Sequence, residues 1–259
     1  MMRERIVAVL LLLVTGQVFA LDKPEDIRAC MRKNFPATSS TQTFMLKTIG
    51  REGSERALHA TAYWKRAGDG KAKVMLSVDS PDDLRGSAYL MVELATRDDL
   101  FMYLPAAGRT KRILGNQTSD SLWGTDFSYE DIKQVQGIFD SGKLVREADA
   151  EVAGKKVYVL SFVPAKVEES AYRRLMSHVD QTTCVALQTD FYEAGDTPRK
   201  RLSVKPQEVK QEGQRWVAHF YEMSDLRDGT RSELRIEKMT ADTDLPERLF
   251  NPKTFQLGR

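Results

Sequence analysis

Residues 44–78 read FMLKTIGREGSERALHATAYWKRAGDGKAKVMLSV, and this stretch decides the fold. The runs at 44–49, 58–64 and 74–78 are rich in aliphatic, aromatic and β-branched residues and have the two-residue alternation of β-strands. Residues 51–54 (REGS) and 68–70 (GDG) separate the runs and have the composition of short hairpin turns. The stretch therefore predicts consecutive antiparallel hairpins.

The same pattern continues through the rest of the chain. Further strands are predicted at residues 89–94, 100–104, 157–162, 174–179, 185–192, 201–204, 216–221 and 233–239. Turns are predicted at 96–99, 180–183, 194–196 and 228–229. About eleven strands in hairpin order favour one antiparallel sheet, and a sheet of that size must curl or close.

Two helices are predicted beside the strands. The first covers residues 23–34, where Pro24 suits the first turn and apolar side chains recur at helical spacing. The second is short, at residues 128–136, and begins with Ser128 and Asp131 as a capping pair. Because a lone amphipathic helix of the first helix's length is marginal in water, we expect the helix at 23–34 to pack inside the concave face of the sheet.

The N-terminus has the pattern of a secretory signal. Arg3 and Arg5 precede an apolar run at 6–14, and residues 18–20 (VFA) form a small-residue cleavage signal. The run is too short for a membrane anchor, which needs about 20 apolar residues. The sequence thus predicts a signal peptide at 1–20, cleaved after Ala20, and a single domain at 21–259.

The charges of the chain are balanced. There are 39 basic and 37 acidic residues, a formal net charge of +2. This balance gives no electrostatic reason for binding nucleic acid or anionic membrane in general. We therefore expect neither a nucleic-acid partner nor stable membrane insertion.

Two cysteines, Cys30 and Cys184, would enter an oxidising compartment after export. An even number of cysteines there favours a disulfide bond. A bridge that closes a loop of about 150 residues could stabilise the fold by about 4–5 kcal/mol through loop-closure entropy. The alternative is a pair of buried free thiols.

The sequence contains no recognisable catalytic constellation. His59, His178 and His219 each lie in a predicted strand without a second histidine or a carboxylate at metal-ligand spacing. The adjacent carboxylates Glu130 and Asp131 lie at a helix start, where they favour the helix dipole more readily than acid–base chemistry. We therefore expect no catalytic residue, metal or cofactor, and a protein that is not an enzyme.

Aromatic and methionine side chains are frequent in the first five predicted strands. They could form an ordinary core. Alternatively, a curved sheet of this size could enclose more apolar wall than its helices fill, which would leave a pocket for an acyl chain. For this second interpretation, the predicted cavity wall consists of Tyr63, Tyr89, Phe101 and Tyr103.

Residues 103–131, YLPAAGRTKRILGNQTSDSLWGTDFSYED, join a basic turn to a tight turn around a glycine. Arg109 and Arg112 belong either to a solvated hairpin tip or to a contact for an anionic head group or partner protein at the cavity rim. Trp123 and Phe127 are predicted to brace a loop over the cavity.

This stretch also carries a family resemblance. Tyr-Leu-Pro at 103–105, Arg109 and Arg112 before Ile113, and GTDFSYED at 124–131 resemble the outer-membrane lipoprotein-sorting family. These are periplasmic proteins similar in fold to LolA, the lipoprotein carrier. Weaker matches lie at Cys30 with residues 34–36, at 81–86, 179–180, 183–185, 191–193, 199–200 and 249–252.

The resemblance implies a mainly β fold: a strongly curved antiparallel sheet of about eleven strands, forming a half-open barrel with helices across its mouth. It also implies periplasmic carriage of a hydrophobic ligand, a lipid or an acylated lipoprotein, together with an RND-type transporter of the inner membrane. The alternative is a non-catalytic accessory subunit of such a transporter, with a cavity filled by its own side chains. The lid-locking residues of the dedicated carrier have no counterpart that can be placed in this sequence.

Overall fold

The computed structural model describes residues 21–94, 98–138, 142–167 and 170–258. The predicted signal peptide and its cleavage after Ala20 lie outside these ranges. Within them, no helix combines the length and apolar character needed to cross a bilayer.

The described chain has two α-helices, α1 (Pro24–Lys33) and α2 (Ile132–Val135). The strands are β1 (Ser39–Ile49), β2 (Glu55–Arg66), β3 (Ala72–Ser80), β4 (Ala88–Val92), β5 (Asp99–Leu104), β6 (Arg109–Ile113), β7 (Gly142–Val152), β8 (Lys155–Pro164), β9 (Arg174–Asp180), β10 (Ala186–Tyr192), β11 (Lys200–Ser203), β12 (Val209–Glu212), β13 (Arg215–Ala218), β14 (Phe220–Asp225) and β15 (Thr230–Ala241). Helix α1 has a proline and two acidic residues in its first turn and two basic residues in its last, as the helix dipole favours.

Thirteen strands form one antiparallel sheet in the order β6-β5-β4-β3-β2-β1-β15-β14-β11-β10-β9-β8-β7, and β12 pairs separately with β13. The first arm, β1 to β6, and the second arm, β7 to β11 with β14, meet where β1 pairs with β15. The sheet is not closed into a barrel, and the half-open barrel of about eleven strands is not confirmed.

The strand count differs from the prediction for a physical reason. Residues 109–113 were expected to be a basic turn but form β6, and β7 and β12 were not predicted. Strands β6 and β7 lie at the two edges of the sheet and bury little surface, so their charged residues show no apolar alternation. The predicted strand at 216–221 is divided between β13 and β14.

Two hydrogen bonds show that the sheet is strongly curled. The hydroxyl of Tyr89 in β4 donates to the carbonyl of Tyr129 at 3.2 Å, and Lys200 Nζ in β11 contacts the carboxylate of Asp131 at 3.0 Å. Strands β4 and β11 are six positions apart, which is about 29 Å in a flat sheet. Residues 129 and 131 are separated by at most about 7 Å. The sheet must therefore wrap around this part of the chain.

Residues 118–138, here called the filling segment, pack against the inner face of the curled sheet. The buried apolar side chains of the segment share one core with those of β1 to β4, and they are Leu122, Trp123, Phe127, Tyr129, Ile132, Val135 and Ile138. Helix α2 belongs to this segment, whereas the helix expected inside the concave face was the first one, at residues 23–34.

The outer face of the first arm is covered by the C-terminal segment. Leu249, Phe250 and Phe255 pack on Met75 and Leu90, and all five are buried. Strands β3 and β4 are thus buried on both faces. This explains the consecutive apolar residues at 74–76 and 88–92, which interrupt the alternation expected of a strand with one buried face.

The disulfide between Cys30 and Cys184 is present, with an S–S distance of 2.03 Å. It joins α1 to the turn between β9 and β10. Ile27 and Met31 of the same helix pack on Tyr158 and Val179 of the second arm. The predicted pairing is confirmed, and it fixes α1 to the second arm of the sheet.

Candidate ligand cavity

A cavity of about 80 Å³ lies between α1, the filling segment and the second arm of the sheet. The wall is mainly apolar and includes Met31, Val135, Leu202, Tyr221, Ile236 and Met239. A second cavity of about 40 Å³ lies beside it, toward Leu160 and Phe162 of β8. Both cavities are lined by Met31, Gln134 and Ser177. These side chains therefore form the partition between them, and methionine is one that repacks easily.

The wall carries two polar groups that no other described residue satisfies. Neither the hydroxyl of Tyr221 nor the side-chain amide of Gln134 has a hydrogen-bond partner among the described residues. Burial raises the pKa of Tyr221 to about 12. The side chain of Tyr221 is still partly accessible, because it lines the cavity. A mainly apolar wall with a few polar groups is the usual composition of a ligand site.

Three other polar side chains of the wall, Gln42, Ser177 and Thr189, already have partners. The hydroxyls of Ser177 and Thr189 lie 3.1 Å apart, and Gln42 Nε2 donates to Met239 Sδ at 3.7 Å. Tyr221 and Gln134 therefore keep hydrogen-bonding capacity that these three side chains have already used.

The mouth of the cavity is formed after the end of α1. Phe35 and Pro36 line both the cavity and an open surface cleft of about 830 Å³. The preceding residue, Asn34, donates to the carbonyl of Thr183 at 2.8 Å and accepts from the amide of Trp216 at 3.0 Å. Because Asn34 is held from two sides, the adjacent ring of Phe35 is positioned between cleft and cavity.

The four residues predicted as cavity wall do not form one wall. Tyr89 faces the filling segment, with its ring 5.3 Å from that of Tyr129. Tyr63, Phe101 and Tyr103 pack in the outer core beneath the C-terminal segment. The reason is strand register: residues 101 and 103 lie opposite residues 90 and 88, whereas Tyr89 points the other way. The two cavities described above are lined by other residues.

Arg109 and Arg112 lie on the exposed edge strand β6. The guanidinium of Arg112 is paired with Asp99 on the neighbouring strand. Both arginines are accessible, and their role as rim or partner contacts stays a prediction.

Trp123 and Phe127 belong to the filling segment, and both side chains are buried in the core. Between them, Gly124 has a φ of +77°, a backbone shape that favours glycine. The carboxylate of Asp126 accepts hydrogen bonds from the hydroxyls of Thr230 and Ser232 on β15. These contacts attach the turn to the centre of the sheet.

The two adjacent carboxylates Glu130 and Asp131 are also occupied. Asp131 accepts from Tyr172 Oη at 2.7 Å and from Lys200 Nζ at 3.0 Å. Glu130 accepts from the hydroxyl of Ser170 and from the amide of Ala171. Burial raises the pKa of Glu130, although these two hydrogen bonds oppose the shift. Groups so fully bonded hold the filling segment in place and offer no free base.

Metal binding finds no support in the described part of the chain. No group of three or more histidine, cysteine, aspartate or glutamate side chains is arranged there to hold an ion. His59 Nδ1 lies 3.6 Å from Glu237 Oε1. His219 Nε2 lies 2.8 Å from Glu212 Oε1.

A family model described as "Uncharacterized protein" matches residues 70–256, well over half of the chain. The chain belongs to that family. No significant match was found among curated protein sequences.

Three solved structures share the fold. A DUF1329 family protein from Desulfovibrio piger is 23% identical with a TM-score of 0.81, covering 88% of this chain and 95% of the other. A putative outer membrane lipoprotein-sorting protein domain from Vibrio parahaemolyticus is 23% identical with a TM-score of 0.81, covering 90% and 100%. A LolA superfamily protein from Nitrosomonas europaea is 18% identical with a TM-score of 0.69, covering 88% and 97%. At these identities the likeness shows a LolA-like fold.

Proposed function

We propose that this protein is a non-catalytic periplasmic carrier that shields the acyl chain of a lipid or an acylated lipoprotein. The observation that carries the proposal is the mainly apolar cavity, in which the polar groups of Tyr221 and Gln134 have no hydrogen-bond partner among the described residues. Such groups would orient a carbonyl or ester while the apolar wall covers the chain. The signal pattern at 1–20, with cleavage after about Ala20, and the disulfide support an exported protein.

The size of the cavity implies that this structure is a closed form. An engineered cavity of about 150 Å³ holds one benzene molecule, whereas the two spaces here measure about 80 and 40 Å³. An acyl chain could enter only after the side chains of Met31 and Gln134 have moved apart and the ring of Phe35 has left the mouth. Loading is therefore coupled to a rearrangement at the end of α1.

The proposal extends to the partner of the carrier. We infer that an RND-type transporter of the inner membrane delivers the ligand, which the carrier then takes toward the outer membrane. This part is supported by the resemblance of residues 103–131 to the lipoprotein-sorting family. A pull-down from membranes with the full-length exported protein would test it.

One observation favours a second candidate function, an accessory transporter subunit without a ligand. In the first arm, the filling segment packs on the inner face, and the cavity beside Phe127 and Leu122 measures about 10 Å³. A protein that fills its own interior in this way could act solely as a docking subunit.

The two functions can be separated by uptake of an uncharged fluorophore, N-phenyl-1-naphthylamine, together with native mass spectrometry of periplasmic protein. We expect a co-purified lipid and saturable fluorophore binding. Ala186→Leu adds volume to the cavity wall and should weaken binding about tenfold, the equivalent of two buried methylene contacts. Ala57→Leu, the same change at an exposed position of β2, should have no effect. A lipid-free protein with no saturable binding that captures a membrane complex would favour the accessory subunit.

A further inference from the structure

The surface cleft outside Phe35 is rich in cations. Four basic and two acidic side chains line it, and they are Arg32, Lys33, Arg66, Arg215, Glu93 and Glu212. The cleft opens to solvent and measures about 830 Å³, far larger than the cavity behind it. It shares Phe35 and Pro36 with that cavity.

The two carboxylates of the cleft are engaged by other groups. Glu93 Oε2 accepts a hydrogen bond from the amide of Ala72 at 2.7 Å. Glu212 Oε1 lies 2.8 Å from His219 Nε2. Neither carboxylate forms an ion pair with Lys33 or Arg66 in the described part of the chain.

The basic side chains of the cleft differ in whether an acidic side chain neutralises their charge. Arg215 is paired with Asp242 at 3.0 Å. Arg66 donates to the carbonyl of Gly70 at 2.7 Å and lies 5.0 Å above the ring of Trp64, contacts that leave its charge unneutralised. Lys33 is exposed and has no ion-pair partner among the described residues. Lys33 and Arg66 are thus two cations of the cleft for which the described part of the chain shows no ion pair.

The neighbouring guanidinium of Arg32 is also affected by the positive charges around it. Burial and the charges of Arg28 and Arg66 lower the pKa of Arg32, and Glu93 only partly opposes the shift. A bound anion would relieve this repulsion, because an opposite charge at short range stabilises each cation.

We infer that the cleft is the head-group subsite of an anionic amphiphile. Lys33 and Arg66 hold a phosphate head group, and the acyl chain passes Phe35 into the cavity. The inference rests on the proposed carrier function and narrows its ligand class to acyl chains whose phosphate head group has a net negative charge. A guanidinium fork and a flexible ammonium are a suitable pair for phosphate oxygens.

Three probes test the inference. Palmitoyl lysophosphatidylglycerol has an anionic head, palmitoyl lysophosphatidylcholine has a zwitterionic head, and glycerol 3-phosphate has the phosphate without a chain. The lysolipids, below their micelle concentrations, are titrated by displacement of N-phenyl-1-naphthylamine, and glycerol 3-phosphate is titrated by calorimetry. We expect the anionic lysolipid to bind about tenfold more tightly than the zwitterionic one at low salt. Added salt should reduce this preference, because exposed charges are screened.

Substitutions locate the head group. Lys33→Gln with Arg66→Gln should abolish the preference for the anionic lysolipid and leave uptake of the uncharged fluorophore unchanged. Lys33→Gln alone, at an exposed side chain, should reduce the preference about threefold. Lys155→Gln with Lys156→Gln is the control, because it removes two charges from β8, outside the cleft.

The outcomes separate the inference from the carrier function. Equal affinity of the wild-type protein for both lysolipids would overturn the head-group subsite and leave the carrier standing. No binding of either lysolipid or of the fluorophore would overturn both. Glycerol 3-phosphate binding as tightly as the anionic lysolipid would assign the cleft to free phosphate compounds. A preference that survives the double substitution would show that the head group lies elsewhere.

Discussion

The ring of Phe35 lies so close to Gly137 that a Cβ atom at position 137 would come within 2.5 Å of its carbons. Phe35 follows α1, and Gly137 follows α2 at the end of the filling segment. Gly137 has a φ of +65°, in the left-handed region that favours glycine. The mouth of the cavity is therefore closed by contact between two segments that both border it.

We predict that Gly137→Ala opens this mouth. The new methyl group would displace the ring of Phe35, and the backbone strain would add to the loss, for a destabilisation of about 1–3 kcal/mol. Stopped-flow uptake of N-phenyl-1-naphthylamine should become faster. The matched control is Gly154→Ala, where φ is +75° but nothing lies within 4 Å of the added Cβ. Equal acceleration in the control would show that strain, and not the contact with Phe35, controls entry.

Removal of the disulfide should loosen α1. The bond joins residues 154 positions apart, so Cys30→Ser with Cys184→Ser should lower the free energy of unfolding by about 4–5 kcal/mol in urea titrations. Uptake of the fluorophore should rise as well, since α1 forms one wall of the cavity. Thiol counting on the denatured, unreduced wild-type protein should find no free thiol. A double variant as stable as the wild type would show that the disulfide does not stabilise the fold.

Substitutions at Trp123 and at the two arginines of β6 should differ in their effect on the free energy of unfolding. Trp123 is 8% exposed within the core, so Trp123→Ala should destabilise the protein by about 3–5 kcal/mol. Arg109→Glu should change stability by less than about 0.5 kcal/mol. Arg112→Glu should lower it by up to about 1 kcal/mol, because the ion pair with Asp99 is lost. Thermal and urea unfolding measure all three. If Arg109→Glu combined with Arg112→Glu unfolds the protein while Trp123→Ala leaves its stability unchanged, the filling segment does not pack as described.

Glu130 should make stability depend on pH. Burial raises its pKa above the model-compound value of 4.5, so the unfolded chain releases this proton at lower pH than the folded protein does. The contribution of Glu130 to stability must then fall as the pH rises from 4.5 through its raised pKa, and level off above it. Glu130→Gln should remove this fall from the pH profile of unfolding. Glu52→Gln, on the exposed β1–β2 turn, controls for the change of charge.

Sequence patterns predicted the elements that bury one clear face. The hairpin runs of the first arm, helix α1 and the bond between Cys30 and Cys184 follow from periodicity, turn composition and cysteine number. Strands β6 and β7 escaped because an edge strand can be charged on both faces. No apolar period exists in such a strand to be detected.

The site was harder to predict than the fold. Strands β3 and β4 are covered on both faces, so alternation could not tell which aromatic side chains point inward. Tyr221, Gln134 and Met31 come from three distant parts of the sequence and meet only through the curl of the sheet. Phe35 lies at the end of the apolar spacing of the first helix and within the weak family match at 34–36, which do not assign it to a cavity mouth, and its partner Gly137 carries no signal of its own.

The free edges of the sheet bear on how much it can hold. In a closed barrel the number and stagger of the strands set one circumference, and hence one internal radius. Here β6 and β7 each pair with a single neighbour within the described chain, so no ring closure fixes the radius. A small change of twist at each pairing, summed across the thirteen strands, would widen or narrow the interior without loss of any ladder hydrogen bond. For the proposed carrier, an interior without a fixed radius would allow one sequence to accommodate ligands of different girth.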